Sequence, residues 1–432
     1  MNRSASAPND TTTFTAHESA VRSYCRRMPQ VFARGQNAMV WDEAGTAFID
    51  FFSACGALNY GHNDPAIKQA AVDHLLSDAV LCGLDLHTPA KRGFIDDFQR
   101  IILGPRGLDY RLQFPGPTGT NAVEAALKLA RKVTGRRRVV AFSKAFHGMS
   151  LGALAATENR QARQGAGVPL PHVIRLAYDG DDRSGLPGID QFEATLQSGS
   201  EPPAAFIVET VQGEGGLNVA SAPWLQRLAA LARRLGAVLI VDDIQAGCGR
   251  TGPFFSFEQA GITPDIVCLA KSISGLGLPM ALVLIKPEFD VWAPGEHNGT
   301  FRGNTLAFAT ASAALRFWDQ SAFHARKCGN EQIVRAWLDR MHQMFGSFGV
   351  TPCGRGLMAG LRFGEAAQAD AVARAVFERN MLIETAGPHD EVLKLMPPLT
   401  IERETLVEGL ERITDAISSV VTPVRVIERV AA

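Results

Sequence analysis

The 432-residue sequence has few cysteines and no clusters of them. Seven are scattered without Cys-x-x-Cys spacing, and an odd, dispersed set fits a reducing compartment better than a disulfide framework or a zinc site. No window holds the roughly 18 uninterrupted apolar residues of a membrane span. The polar, Ser/Thr-rich residues 1–13 lack the apolar segment of a secretory signal and are expected to be a disordered N-terminus. Charge of one sign is also missing. The net charge is −1, and the basic run Arg136-Arg137-Arg138 follows a helical pattern and Gly135, where positive charge suits the helix dipole. No nucleic-acid footprint is visible. Internal repeats and long low-complexity linkers are absent. A soluble, cytoplasmic protein acting on small molecules is the expectation, with no nucleic acid, membrane or metal involved.

What remains is a chain that is 46% hydrophobic and 20% charged, enough to bury a large core in two or three domains. Residues 39–52 read as a hairpin around Glu43-Ala44-Gly45. A loop of small residues follows, and Pro65 opens a helix to about Leu76. From about residue 112, strands alternate with helices. Residues 121–134 place Val123, Ala126, Leu127 and Ala130 on one face, and the helix opened by Pro223 does the same with Leu228, Leu231, Ala232 and Leu235. Between and after them lie short apolar runs at 138–142, 205–210, 237–242, 266–271 and 281–285. Repeated β-α-β with near-continuous apolar strands predicts an α/β fold, with a mostly parallel sheet covered by helices on both faces. A helix over 306–317 leads into a last region. Its runs at 357–363, 370–379 and 391–395 predict a smaller α+β domain.

The apolar run Ala237-Val238-Leu239-Ile240-Val241 closes on Asp242, and Ile266-Val267-Cys268-Leu269-Ala270 closes on Lys271, 29 positions further on. Ligands of open α/β sheets gather beyond the carboxyl ends of the strands. An amine and a carboxylate delivered there suit pyridoxal phosphate: the amine condenses with the aldehyde, and the carboxylate pairs with the pyridinium nitrogen. Taken singly, each residue also reads plainly, as a surface Lys and a helix-capping Asp.

Thr118-Gly119-Thr120-Asn121 opens the first amphipathic helix. Gly119 permits close backbone approach, and hydroxyls and free N–H groups at a helix start form an anion cradle; an ordinary capped helix start is the alternative. It is not a Walker loop, because Gly-Lys-Ser/Thr is missing. Gly247-Cys248-Gly249-Arg250-Thr251-Gly252 spells a dinucleotide fingerprint but lacks the strand–turn–helix context, so a tight loop packed near a cofactor is expected. Phe146, in Phe146-His147-Gly148, offers a ring to a flat cofactor, or else fills a core. Glu209 and Glu214 flank glycines after a strand; they are either holders of a cationic group or solvated loop acids.

Together these segments resemble the class III, or ω-type, pyridoxal-phosphate aminotransferases of fold type I, over about residues 31–399. The most specific stretch is Asp242-Asp243-Ile244-Gln245-Ala246-Gly247-Cys248-Gly249-Arg250-Thr251-Gly252, then Pro264-Asp265-Ile266, then Lys271, with Asp-Asp-Ile where the family usually has Asp-Glu-Val. The resemblance implies these roles. Lys271 carries the cofactor, Asp242 pairs with its ring nitrogen, and Asp243 lies behind. Ile244 and Phe146 pack on the two ring faces, with Gln245 near the ring hydroxyl. Gly119 and Thr120 hold the phosphate. Thr300 reaches the phosphate of a neighbouring subunit, which implies a homodimer or a dimer of dimers. It also implies a large cofactor domain over 63–325 and a smaller domain built from 14–62 and 326–432.

Within the class, Gly116-Pro117-Thr118-Gly119-Thr120-Asn121-Ala122-Val123-Glu124 and Gly275-Leu276-Gly277-Leu278-Pro279-Met280 resemble the group acting on L-2,4-diaminobutyrate and 2-oxoglutarate. Members of that group supply ectoine, siderophore or peptide-antibiotic synthesis. Another ω-amine specificity (ornithine, 4-aminobutyrate) and an aminomutase of the glutamate-1-semialdehyde type remain open. Two departures from the class matter. Lys394 stands where glutamate-using members often carry an Arg that binds the substrate carboxylate and pairs with the acid matched by Glu214; a Lys offers a point charge in place of a rigid fork. Cys55 stands where Gly or Ala is usual and is expected to narrow the pocket. Asp85 is the expected partner of a substrate ammonium, or a helix cap before Thr88-Pro89. Lys394 is the expected partner of a substrate carboxylate.

Overall fold

The structure, a computed structural model, describes residues 7–421 except 198 and 200. Its centre is a seven-stranded sheet. Across it run Arg111–Gln113, Leu282–Ile285, Ile266–Leu269, Val238–Asp242, Ala205–Val208, Val139–Phe142 and Val173–Leu176. All are parallel except Leu282–Ile285, which is antiparallel to both neighbours. The five inner strands are buried from end to end, as their unbroken apolar runs require.

Alternate residues feed two different cores. Val139, Ala141, Ile207, Val238, Ile240 and Ile266 join the cluster built on the helix Gly119–Thr134. Val140, Phe142, Phe206, Leu239, Val241 and Val267 join the cluster that takes Leu225, Leu228 and Leu231 from the helix Ala222–Leu235. Period two on the strands and period 3.6 on the helices thus yield a sheet covered on both faces. The parallel register sets Asp242 opposite Cys268, so Asp242 and Lys271 leave the sheet at the same edge on neighbouring strands.

Two further sheets hold the remaining strands. Phe32–Gln36, Met39–Asp42 and Ala47–Asp50 form a meander, and Met381–Leu382 adds to it in parallel, so the two ends of the chain share one sheet. Thr351–Arg355, Met358–Arg362, Val392–Leu395 and Glu384–Ala386 form the other, antiparallel throughout. The fully buried Arg250 staples the glycine loop to this region, donating to Asn59 Oδ1, Leu357 O and Pro397 O.

Three differences from the sequence reading have local causes. Residues 7–13 lie inside the stretch expected to be disordered, yet Asn9 accepts from Val31 N at 3.0 Å and donates to Asp42 at 2.9 Å, and a helix spans Thr12–His17; residues 1–6 lie outside the described part. The first amphipathic helix begins at Gly119 rather than 121, because Asn121 Oδ1 reaches back to the Thr118 hydroxyl at 2.7 Å. The helix expected over 306–317 is Thr305–Leu315 closed by a 3₁₀ turn, and a 25-residue helix, Ser321–Phe345, follows it. Among the described residues no helix is long and apolar enough to cross a membrane.

Candidate active site

The site is built around an unusual turn. Ser53, Ala54 and Cys55 all have positive φ (47°, 49° and 57°), one left-handed turn made of non-glycine residues. Such a turn costs about 1–2 kcal/mol per residue, so something must hold it. Asp50 Oδ1 accepts from Phe52 N and Ser53 N, both at 2.8 Å, and Asp50 Oδ2 is fixed by His62 at 2.7 Å. The turn aims the Cys55 carbonyl at two donors, Lys271 Nζ at 3.1 Å and Gln245 Nε2 at 3.0 Å. Lys271 itself has φ +52°, just past its strand. Strain gathered on the residues that meet is what a functional site displays.

From this point the contacts run in two directions. Toward the sheet, Asp242 is buried, with Oδ1 accepting from Ile244 N at 3.2 Å and Oδ2 lying 2.7 Å from His147 Nδ1. His147 is fully enclosed, and its Nε2 has no partner among the described residues. Phe146, beside it, is fixed by Glu209, which accepts from Phe146 N at 2.9 Å and Gly213 N at 3.1 Å. Burial pushes the Glu209 carboxyl up to about 7. With one backbone N–H on each oxygen, Glu209 clips the Phe146 and Gly213 loops together. Asp243 lies behind, fully buried, accepting from Ser256 N at 3.0 Å.

The anion cradle adjoins this group. A Cβ on Gly119 would stand 3.0 Å from the Ile244 side chain, so the glycine lets the helix start and the Asp242 loop close on each other. Gly148, at φ +124°, packs so closely on Thr120 that a Cβ there would stand 2.4 Å from its hydroxyl oxygen, which leaves no room for a side chain. The Thr120 hydroxyl meets that of Ser150 at 2.7 Å. Gly119, Thr120, Phe146, Asp242, Ile244, Gln245 and Lys271 are thus linked, contact by contact, into one site.

In the other direction lies a cluster of charges. Lys394 is 0% exposed, and its ammonium stands 2.9 Å from Glu214 and 2.8 Å from Glu384. Burial works against the charge on Lys394, but the two carboxylates outweigh it and hold its pKa well above the ordinary range. Burial likewise works against Glu214, yet Lys394, followed by Lys271, lowers its carboxyl to about 2. Gln245 Nε2 also reaches Glu214, at 3.3 Å. In this structure Lys394 is therefore held by two carboxylates, the buried Glu384 and the partly exposed Glu214. Cys55 turns its thiol away from Lys271, to Tyr24 Oη at 3.0 Å and Glu384 at 3.5 Å, and burial and Glu384 push it up to about 12, so it stays neutral.

Two expected residues lie elsewhere. Asp85 is 63% exposed and paired with Arg302 at 2.5 Å, in a groove with Lys91 and Trp292. It neither caps a helix, since Thr88 caps Pro89–Asp97, nor contacts the Lys271 group; its assignment to a substrate ammonium in this subunit is withdrawn. Thr300 is exposed on a loop tied to the same segment through Gly83 N to Gly303 O at 2.8 Å. Sequence reading passed over His147, Tyr24 and Glu384. A charged residue on each arm of a short apolar hairpin was the available sign for Glu384; Tyr24 gave none.

A phosphorylated pyridine aldehyde fits this set. An amine, a buried carboxylate backed by an imidazole, and a glycine-closed helix start converge, and Gln245 Oε1 and His147 Nε2 are buried polar atoms without partners among the described residues. A cavity of about 1090 Å³, with Phe146, Lys144 and Glu214 among its lining residues, adjoins this group.

Comparison with known proteins agrees. The class-III aminotransferase family model matches residues 21–417. The chain is 53% identical to the diaminobutyrate–2-oxoglutarate transaminase of Nocardia farcinica, over 96% of this chain and 95% of that one. It is 49% identical to the enzyme of the same name from Halalkalibacterium halodurans, over 95% and 97%. The ornithine aminotransferase of Toxoplasma gondii superposes with a TM-score of 0.82 at 26% identity, over 94% of each chain. The chain belongs to the class-III aminotransferases, pyridoxal-phosphate enzymes of fold type I.

Proposed function

We propose that the protein interconverts L-glutamate plus L-aspartate 4-semialdehyde and L-2,4-diaminobutyrate plus 2-oxoglutarate. Its full-length likeness to transaminases of that name supports the substrates. The observation that carries the chemistry is the convergence of Lys271 Nζ, the Asp242 carboxylate and the Gly119–Thr120 helix start at one sheet edge. When bound, pyridoxal phosphate supplies an aldehyde to accept the amino group and a ring to withdraw electrons from the substrate carbon.

Within that reading each residue has a task. Lys271 Nζ holds the cofactor and, once released, moves the proton to and from the substrate carbon as a general base within reach. The Cys55 carbonyl keeps that nitrogen at the head of the pocket. Asp242, fixed by His147 and the Ile244 N–H, keeps a proton on the ring nitrogen. Ile244 and Phe146 bracket the ring, Gln245 faces its hydroxyl, and Gly119, Thr120 and the free N–H groups bind the phosphate.

The same reading includes a homodimer or a dimer of dimers, in the cytoplasm, with a cofactor domain over 63–325 and a smaller domain from 14–62 and 326–432. Thr300 serves a phosphate only across an interface. Beside it Phe301 is 69% exposed, and an apolar groove of about 410 Å³ runs from Leu81 and Phe301 to Pro117 at the cradle loop. An apolar surface of this kind marks a contact face.

A donor panel with 2-oxoglutarate as acceptor tests the substrates. Diaminobutyrate is expected to give glutamate faster than ornithine or 4-aminobutyrate. A preference for 4-aminobutyrate refutes the assignment, and turnover without any external keto acid would make the enzyme an aminomutase.

A further inference from the structure

The carbonyl that receives Lys271 is held in place from a distance. Cys55 O accepts from Lys271 Nζ at 3.1 Å and from Gln245 Nε2 at 3.0 Å. It belongs to the turn Ser53-Ala54-Cys55, whose left-handed backbone is costly for residues with a Cβ. Such a turn keeps its shape only while its surroundings restrain it.

The restraint runs through two side chains. Asp50 Oδ1 accepts from Phe52 N and Ser53 N, both at 2.8 Å, which fixes the entry to the turn. Asp50 is buried, and its other oxygen lies 2.7 Å from His62 Nε2. His62 in turn has a fixed seat. Its backbone exchanges two hydrogen bonds with Asn37, at 2.7 and 2.9 Å, and its ring packs so closely on Gly35 that a Cβ there would stand 2.8 Å away. The order of contacts is therefore His62, Asp50, the turn, the Cys55 carbonyl and the amine.

We propose that Asp50 and His62 are a positioning pair for Lys271: they hold the turn whose carbonyl keeps the amine in place whenever it is not bonded to the cofactor. The inference rests on the proposed role of Lys271 and names what orients it. A lysine on a free four-carbon stem has many rotamers, and few of them bring its nitrogen to the reacting carbon. Donating one N–H to a fixed carbonyl selects among them and leaves the nitrogen lone pair for a proton or an aldehyde. A misplacement of about 1 Å costs roughly a hundredfold in rate.

Two readouts test the pair in His62→Ala. The first is binding to the cofactor-free chain. The rate at which it bonds pyridoxal phosphate, followed in the visible, is expected to fall about tenfold or more, because that step needs the Lys271 amine in place. The Kd for pyridoxamine phosphate, which has no aldehyde and forms no bond to lysine, should stay within about threefold. The second is a single turnover of the loaded enzyme with its best amino donor, deuterated at the carbon bearing the reacting amine. The isotope-sensitive phase should slow about tenfold or more. Both changes are required. His62→Gln, whose amide can still reach Asp50, should recover at least about a third of each rate. An unchanged His62→Ala enzyme, an equal loss of both cofactor forms, or no recovery in His62→Gln overturns the proposal. If His62→Ala does not fold, His62→Asn, too short to reach Asp50, takes its place; failure of both to fold makes the pair structural and overturns the proposal as well. A borohydride label away from Lys271 in the wild type refutes the role of Lys271 itself, and is seen before any variant is made.

Discussion

Replacing Lys394 by methionine removes the charge at the centre of the buried cluster while keeping an unbranched stem of similar length. The two carboxylates it leaves behind respond differently. Glu214 is one-third exposed and turns to water; Glu384, at 4% exposure, cannot. In the wild type, burial opposes the Glu214 charge but Lys394 outweighs it, taking its carboxyl from 4.5 to about 2. A depressed carboxyl contributes stability that is present above its unfolded pKa and is lost as pH falls through the folded value. At about 1.4 kcal/mol per pH unit the ceiling is about 3 kcal/mol, and exposure cuts this to about 1–2 kcal/mol. Glu384 has the opposite sign. Burial raises its carboxyl, against the pull of Lys394, so it costs stability as pH rises from 4.5 through its folded pKa.

In Lys394→Met the Glu214 contribution vanishes and the Glu384 cost climbs, because nothing then offsets its burial. The deficit is expected to be about 1–2 kcal/mol at the acid end and to approach the ~3–5 kcal/mol of a broken buried pair as rising pH ionises Glu384. Thermal unfolding of the cofactor-loaded protein, followed at a fixed scan rate at pH 5, 6.5 and 8, should show a drop in Tm that widens to roughly 5–10 °C at the highest pH. Adding Glu384→Gln to Lys394→Met removes the carboxylate that has no escape and should recover at least half the loss at pH 8. A deficit independent of pH, or a double variant less stable than Lys394→Met, refutes the clamped-lysine reading.

Lys271→Ala is expected to abolish turnover without unfolding the protein, and borohydride trapping with peptide mapping should place the pyridoxyl group on Lys271. Lys144 and Lys286 are already committed to Asp181 at 2.9 Å and Asp265 at 2.7 Å, so a label on either would remove the basis of the assignment. Asp242→Asn should lower kcat by about two or more orders of magnitude, since amide and imidazole cannot hold a proton on the ring nitrogen as a carboxylate does; near-native activity would move the role elsewhere. Sedimentation of the active enzyme should give at least a dimer, and a Phe301→Asp variant should weaken the assembly; an active monomer at assay concentration would contradict the role given to Thr300.

The fold was legible because the strands carry their burial in one-dimensional form. Unbroken apolar runs such as 238–242 and 266–269 admit few neighbours other than a sheet covered on both faces, and the carboxyl-edge rule then brings Asp242 and Lys271 together without any knowledge of the loops between them. What stayed hidden depends on pairing between distant segments. Nothing in Asn9 announces that Asp42 and Val31 will bind it.

Asp85 and Glu384 show the same limit from two sides. Asp85 looks like a pocket residue by its place in the chain, but the loop that carries it is hydrogen-bonded to the segment after Thr300, and that pairing takes its carboxylate to Arg302. Glu384 looks like an interruption in the run Met381-Leu382-Ile383-Glu384-Thr385-Ala386. Only the register of a hairpin ten residues deep sets it against Lys394, which turns an exposed-seeming cation into a buried counter-ion. A charge inside an apolar strand must find its partner across the sheet, because burial without one costs several kcal/mol. Each such charge in a sequence is therefore a constraint on which strand pairs with which, and here that constraint reaches from the C-terminal hairpin, through Cys55, to the nitrogen of Lys271.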